Sequence, residues 1–190
     1  MYTLNIVHTI DIKITQALSV TAAATPAPNE SSSQLSQAAG QTYGDVSAAI
    51  ALLRAYSPVA GDHFYTTDAV EMANATANLG YSSEGTACHV LASAVGEAIP
   101  LYRMYSPSSR DHFYTMSKEE ADNAAKNYRY INEGITAYVW PSQNYSSVPL
   151  YRMYSRRAAD HFYTTSKSER DNAITNLGYV DEGIVCYVNL

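Results

Sequence analysis

Residues able to move protons or grip a polar ligand recur in this chain at a fixed interval. The run Asp111-His112-Phe113-Tyr114-Thr115 is written again as Asp62-His63-Phe64-Tyr65-Thr66 and as Asp160-His161-Phe162-Tyr163-Thr164, each copy 49 residues from the next. Arg54-x-Tyr56, Arg103-x-Tyr105 and Arg152-x-Tyr154 precede the copies, and Glu84-Gly85, Glu133-Gly134 and Glu182-Gly183 follow them in the same register. Aspartate beside histidine suggests acid–base chemistry, yet neighbours on a strand project to opposite faces, so adjacency alone makes no dyad. A nucleophile would have to come from Ser106 or Thr115, and neither sits in a strand-to-helix elbow. A catalytic site is normally unique, whereas this one is present three times. No catalytic residue, metal ligand or cofactor is therefore assigned, and no spacing demands that the histidines meet on a metal.

Binding is the better use of these residue types. Sugars need flat rings against their C–H faces and charged or polar groups aimed at their hydroxyls. The candidate ligand-binding residues are Arg103, Tyr105, Asp111, His112 and Tyr114 in the second unit. Arg152, Tyr154, Asp160, His161 and Tyr163 are their counterparts in the third, with His63 and Tyr65 in the first. If Phe113 faces the core, parity turns His112 and Tyr114 the other way. The competing assignment makes the same residues structural. Arg103 then pairs with Glu133, Asp111 satisfies turn amides, and His112 bonds a neighbouring strand.

Each unit carries the same element signals. Leu101–Tyr105 and Asp111–Met116 read as two strands joined by a Ser/Pro turn, and Ser117-x-x-Glu120 opens a helix as a capping box. Asp68-x-x-Glu71 and Ser166-x-x-Glu169 repeat that box. Gly80 and Gly178 supply helix stops, with Arg129 at the equivalent place. A third strand follows, on which Ile135, Ala137 and Val139 share a face, which directs Cys88 and Cys186 toward the core. The expected fold is α+β: three pseudo-symmetric β-β-α-β repeats of 49 residues closed around a common axis.

The domain layout follows: an N-terminal β-strand arm at 1–16, an Ala/Ser/Pro-rich linker at 17–48, and the repeat domain at 49–190, with units near 50–98, 99–147 and 148–190. Residues 2–14 alternate apolar and polar, which predicts a long strand. An unpaired amphipathic strand favours homo-oligomers or filaments through pairing with a neighbouring copy. The first 15 residues lack a basic start, and Asp11 and Lys13 interrupt the apolar run, so they do not read as a standard signal peptide.

With 12 basic against 18 acidic residues, the chain is a poor partner for nucleic acid, and no apolar run is long enough to span a bilayer. Tyrosine is the compositional outlier, with 17 in the chain and 15 of them in the repeats. Cys88 and Cys186 occupy equivalent positions in the first and third units. A disulfide between them would close a 98-residue loop, worth roughly 4 kcal/mol in the chain-entropy model. The alternative is two buried thiols.

The motif set Leu101-Tyr-Arg-x-Tyr, Asp111-His-Phe-Tyr-Thr, Ser117-x-x-Glu120 and Glu133-Gly-Ile-x-x-Tyr-Val resembles the three-unit repeat domain of unknown function found in secreted fungal and bacterial proteins. That domain often accompanies extracellular hydrolase domains. The resemblance covers about residues 50–190 and implies an extracellular or cell-surface accessory module that binds carbohydrate or cell wall. It supplies no site residue. The first unit departs from the motif, with Leu53, Ala55 and His89 where the second has Tyr102, Met104 and Tyr138. The functional expectation is a non-catalytic, lectin-like glycan-binding module. The alternatives are a self-assembling structural protein and, more weakly, a cell-wall hydrolase or its accessory.

Overall fold

The computed structural model describes residues 49–144 and 146–190, so the expected N-terminal arm and linker lie outside the described residues. The first unit comprises β1 (Ala49–Ser57), β2 (Asp62–Thr66), α1 (Ala69–Asn78) and β3 (Ser82–Leu91). The second comprises β4 (Ile99–Ser106), β5 (Asp111–Thr115), α2 (Lys118–Tyr128) and β6 (Ile131–Val139). The third comprises β7 (Val148–Ser155), β8 (Asp160–Thr164), α3 (Lys167–Asn176) and β9 (Val180–Val188).

The expected α+β architecture of three closed β-β-α-β repeats is overturned. About half of the described residues are strand, and they form two sheets of unequal size. One has six strands in the order β2-β1-β3-β6-β4-β5 and curves into half a barrel; the other has three, β8-β7-β9. The cause is where the third strands pair. β3 and β6 meet at Leu91 and Tyr138, which fuses the first two units into one sheet. Apart from its ladder with β7, β9 and the residue after it reach the other units only through isolated bridges, Tyr187 to Trp140 and Asn189 to His89, so the third unit keeps its own sheet.

Within each unit the central strand is flanked on both sides, as β4 is by β5 and β6. Register along β4 and β6 shifts between Leu101 and Tyr102 and again between Arg103 and Met104. Gly134 lies opposite Arg103 in this bulged stretch with a φ of 97°, a left-handed conformation that a side chain would strain. The repeated Glu-Gly motif is thereby explained: the bulge sets Glu133 beside Arg103.

The capping boxes form, with a difference. Asp68, Ser117 and Ser166 accept hydrogen bonds from the amides of Glu71, Glu120 and Glu169. The reciprocal bond is absent: Thr66, Thr115 and Thr164 Oγ1 take the N-cap amides instead. The three glutamates are therefore released for another use.

Parity places Phe and Tyr of each Asp-His-Phe-Tyr-Thr strand on opposite faces as expected, but both faces are buried. Phe64, Phe113 and Phe162 pack with Met72, Ala121 and Ala173 respectively, each against its own helix. Tyr65, Tyr114 and Tyr163 enter one central cluster together with Leu52, Leu101, Leu150 and the two cysteines. Cys88 and Cys186 are both buried and carry free thiols, which corrects the disulfide expectation in favour of its alternative. Burial pushes the Cys88 thiol up to about 12 and raises that of Cys186, to which the nearby Cys88 adds.

Candidate functional site: cavities between successive units

The central tyrosines join the units to one another. Tyr65, Tyr114 and Tyr163 are at most 2% exposed. Tyr114 Oη donates to the Tyr65 carbonyl and accepts the Tyr65 amide, both at 2.8 Å. Tyr163 does the same for Tyr114, and Tyr65 does the same for Tyr163, which closes a ring of six hydrogen bonds. β2, β5 and β8 are sheet edges; at each, a tyrosine hydroxyl stands in for the missing next strand. Burial drives all three phenols well above their ordinary range. Tyr65, Tyr114 and Tyr163, expected to face a ligand, are committed to the core.

Asp62, Asp111 and Asp160 are wholly buried and bring one carboxylate oxygen each to within 4.8 Å of the others. Every carboxylate is already engaged. Asp62 accepts the His112 amide at 2.8 Å, His112 Nδ1 at 2.6 Å and the Tyr81 hydroxyl at 2.5 Å. Asp111 holds His161 and Tyr130 in the same way, and Asp160 holds His63 and Tyr179. Carboxylate–imidazole pairs therefore do form, but between units rather than between sequence neighbours. A carboxylate only accepts, so Nδ1 carries the proton. Nε2 is left 3.8 to 3.9 Å from Glu84, Glu133 or Glu182. Asp111 and Asp160 act as anchors of this network and do not face a ligand.

The capping-box glutamates find their use here. Glu71 receives both terminal nitrogens of Arg103 at 2.9 and 2.8 Å, Glu120 receives those of Arg152, and Glu169 those of Arg54. On its other side each guanidinium places Nε 2.8 Å from Glu84, Glu133 or Glu182, a close ion contact without hydrogen-bond alignment. The Arg103 hydrogen bond holds Glu71 below the usual carboxylate range, with burial opposing. For Glu120 and Glu169, burial is the largest influence and acts upward. Hydrogen bonds from arginine and threonine, with the arginine charge, outweigh it, and both carboxyls end below that range. Each guanidinium also lies over the Phe of the preceding unit: Arg103 over Phe64 at 5.4 Å, Arg152 over Phe113 at 5.1 Å, Arg54 over Phe162 at 5.3 Å.

These groups line cavities at the unit boundaries. The first, of 480 Å³, takes Phe64, Glu71, Asn74 and Tyr81 from the first unit and Arg103, Tyr105, Arg110, His112 and Glu133 from the second. The second, of 550 Å³, repeats the arrangement one unit on, with Phe113, Glu120, Asn123 and Tyr130 facing Arg152, Tyr154, His161 and Glu182. Tyr105 lies 4.6 Å from His112 between ring centres, and Tyr154 lies 4.5 Å from His161. The expected residues Arg103, Tyr105, His112, Arg152, Tyr154 and His161 thus share cavity walls. His63 takes the same position at the boundary of the third and first units, beside Arg54 and Tyr56. Glu71, Asn74 and Tyr81, with their counterparts, were missed. The glutamates were visible as capping residues and the Asn as a repeated helix position, but nothing local to either says that its partner is in the next unit.

No curated protein and no solved structure matches the chain. One family model does, Domain of unknown function (DUF5648), over residues 51–189. Since the match covers most of the chain, including all three units and both cavities, the chain belongs to the DUF5648 family.

Proposed function

We propose that the repeat domain is a non-catalytic, lectin-like binding module whose ligand, a carbohydrate or cell-wall glycan, sits in the cavities between successive units. The observation that carries this reading is the repetition of one lining at both cavities: aromatic rings, an imidazole Nε2, an asparagine amide and glutamate oxygens around a common void. Rings offer stacking faces, and the Asn, Tyr and His atoms offer donors and acceptors to hydroxyls. Each site alone is weak, and a polymeric glycan that spans two gains by effective concentration. An extracellular or cell-surface setting belongs to the proposal.

Glycan-array binding followed by NMR titration tests it. Asn74→Ala and Asn123→Ala, on exposed helix faces, are expected to weaken binding with the melting temperature unchanged. Silence across plant, fungal and bacterial wall glycans would sink the reading.

A second reading, strand-mediated self-assembly, is favoured by the open beginnings of β6 and β9. Ile131, Ile135, Val180 and Ile184 are about half exposed there, and each strand is laddered along that stretch on one side only. The alternating residues 2–14 of a neighbouring copy suit such an edge. Deletion of residues 1–15 is expected to leave a monomer by analytical ultracentrifugation; an unchanged assembly state refutes this reading.

A further inference from the structure

The two cavities share a floor but differ at the mouth, where the differences fall on exposed or half-buried side chains. Where the second cavity has Tyr128 at the end of its helix, the first has Leu79. Tyr128 is 66% exposed, although it lines the cavity and has no hydrogen bond among the described residues. Its turn supplies the hydroxyls of Ser108 and Ser109, where the first cavity has Val59 and Ala60. The first cavity has instead Arg110, exposed, with no carboxylate within 4.0 Å among the described residues. The third unit has Ala159 at that place. Arg103 and Arg152, by contrast, are each held between two glutamates.

We propose that the two cavities select different saccharides. The second takes a neutral sugar stacked on Tyr128, and the first takes a sugar that bears a carboxylate, bound by Arg110. The inference rests on the cavities being saccharide sites and adds what each one selects. An exposed phenol ring beside seryl hydroxyls suits the C–H face of a neutral pyranose. A guanidinium at the mouth, with no carboxylate of the described residues within 4.0 Å, gains most from a ligand carboxylate.

The test uses the full chain and two probes, cellohexaose and hexagalacturonate, titrated by calorimetry and NMR. Tyr128→Leu installs the residue of the other two units, and Arg110→Ala installs that of the third, so both variants are expected to fold. Tyr128→Leu should weaken cellohexaose on the order of tenfold and leave hexagalacturonate unchanged. Arg110→Ala should weaken hexagalacturonate several-fold and leave cellohexaose unchanged, with the wild-type affinity for the acid falling as salt rises. Leu79→Tyr should add neutral-sugar binding at the first cavity. If sugars bind but neither variant separates the probes, the selectivity is wrong while the interface sites stand. If neither probe nor any other glycan binds the wild type, the site assignment itself fails and the selectivity falls with it.

Discussion

Tyr114→Phe isolates the contribution of one hydroxyl to the joining of the units. The ring is kept, so its edge-on contacts with Tyr65 and Tyr163, at 5.4 and 5.5 Å between centroids, persist. What is lost is the pair of bonds to the Tyr65 amide and carbonyl. β2 is a sheet edge there, so no ladder partner can take them over, and the site is too buried for bulk water to do so. An unsatisfied buried donor costs about 1–3 kcal/mol and the orphaned carbonyl somewhat less, for a total of about 2–4 kcal/mol. In a domain of this size, about 3 °C of melting temperature follows each kcal/mol, so a fall of roughly 6–12 °C is expected. Circular dichroism melts and urea titrations of Tyr65→Phe, Tyr114→Phe and Tyr163→Phe measure it directly. The three losses should be similar, because each hydroxyl does the same work. Pairs should be non-additive, since members of one network couple. A fall of less than about 2 °C in all three single variants would refute the assignment of the ring as the device that joins the units.

Three further outcomes are expected. Glu71, Glu120 and Glu169 have folded pKa values below the ordinary 4.5. Their stabilisation is therefore full above that value and lost as pH falls through the folded values. Urea midpoints should drop as pH is lowered from about 5 to about 3, and the slope should flatten in Glu120→Gln; a midpoint independent of pH in this range refutes the sign. The Cys88 thiol, raised to about 12 by burial, and its neighbour Cys186 should not react with a disulfide reagent at neutral pH until the protein is unfolded; fast labelling of the native protein would show the cluster to be open. Arg129 holds a φ of 61° at the end of α2, where the first and third units place Gly80 and Gly178 at 77°. Arg129→Gly should stabilise by about 1 kcal/mol, read as a higher urea midpoint, and a loss of stability would mean that the side chain has a contact that outweighs its strain.

What the sequence disclosed and what it hid divide along sequence distance. Strands, turn, helix cap and helix stop are local signals, and all were legible in each unit; the capping residues Asp68, Ser117 and Ser166 act at the positions expected of them. Strand parity was also legible, and Phe113 and Tyr114 do point to opposite faces. Burial of the second face was not, because it depends on the hairpins of two other units arriving there. The uneven split into six and three strands was hidden for the same reason, since it turns on one pairing between Leu91 and Tyr138. Partners such as Glu71 and Arg103, 32 residues apart, leave no periodic trace.

Comparison among the three units offers a signal that parity alone lacks. Asp, His, Phe, Tyr and Thr are identical in all three, even in the first unit, which departs elsewhere. Three of those identical residues are spent on bonds between units, Asp to His and tyrosine hydroxyl to tyrosine backbone, while Thr bonds the cap and glutamate of its own helix, and that glutamate takes the arginine of the next unit. A position that must bond a fixed partner in another unit cannot vary without leaving that buried partner unsatisfied. A position that only lines a cavity is free of that constraint: Val59, Ser108 and Arg157 are all different, and Tyr128 stands where the other two units have Leu79 and Leu177. Identity across the units therefore marks the joints and the lining that the cavities share, such as Asn74 and Asn123, and variation against that background marks where a ligand can be told apart. By that criterion the repeated pentapeptide is the hinge-pin of the assembly, and the turn residues and helix ends around it are the places to alter specificity without loss of the fold.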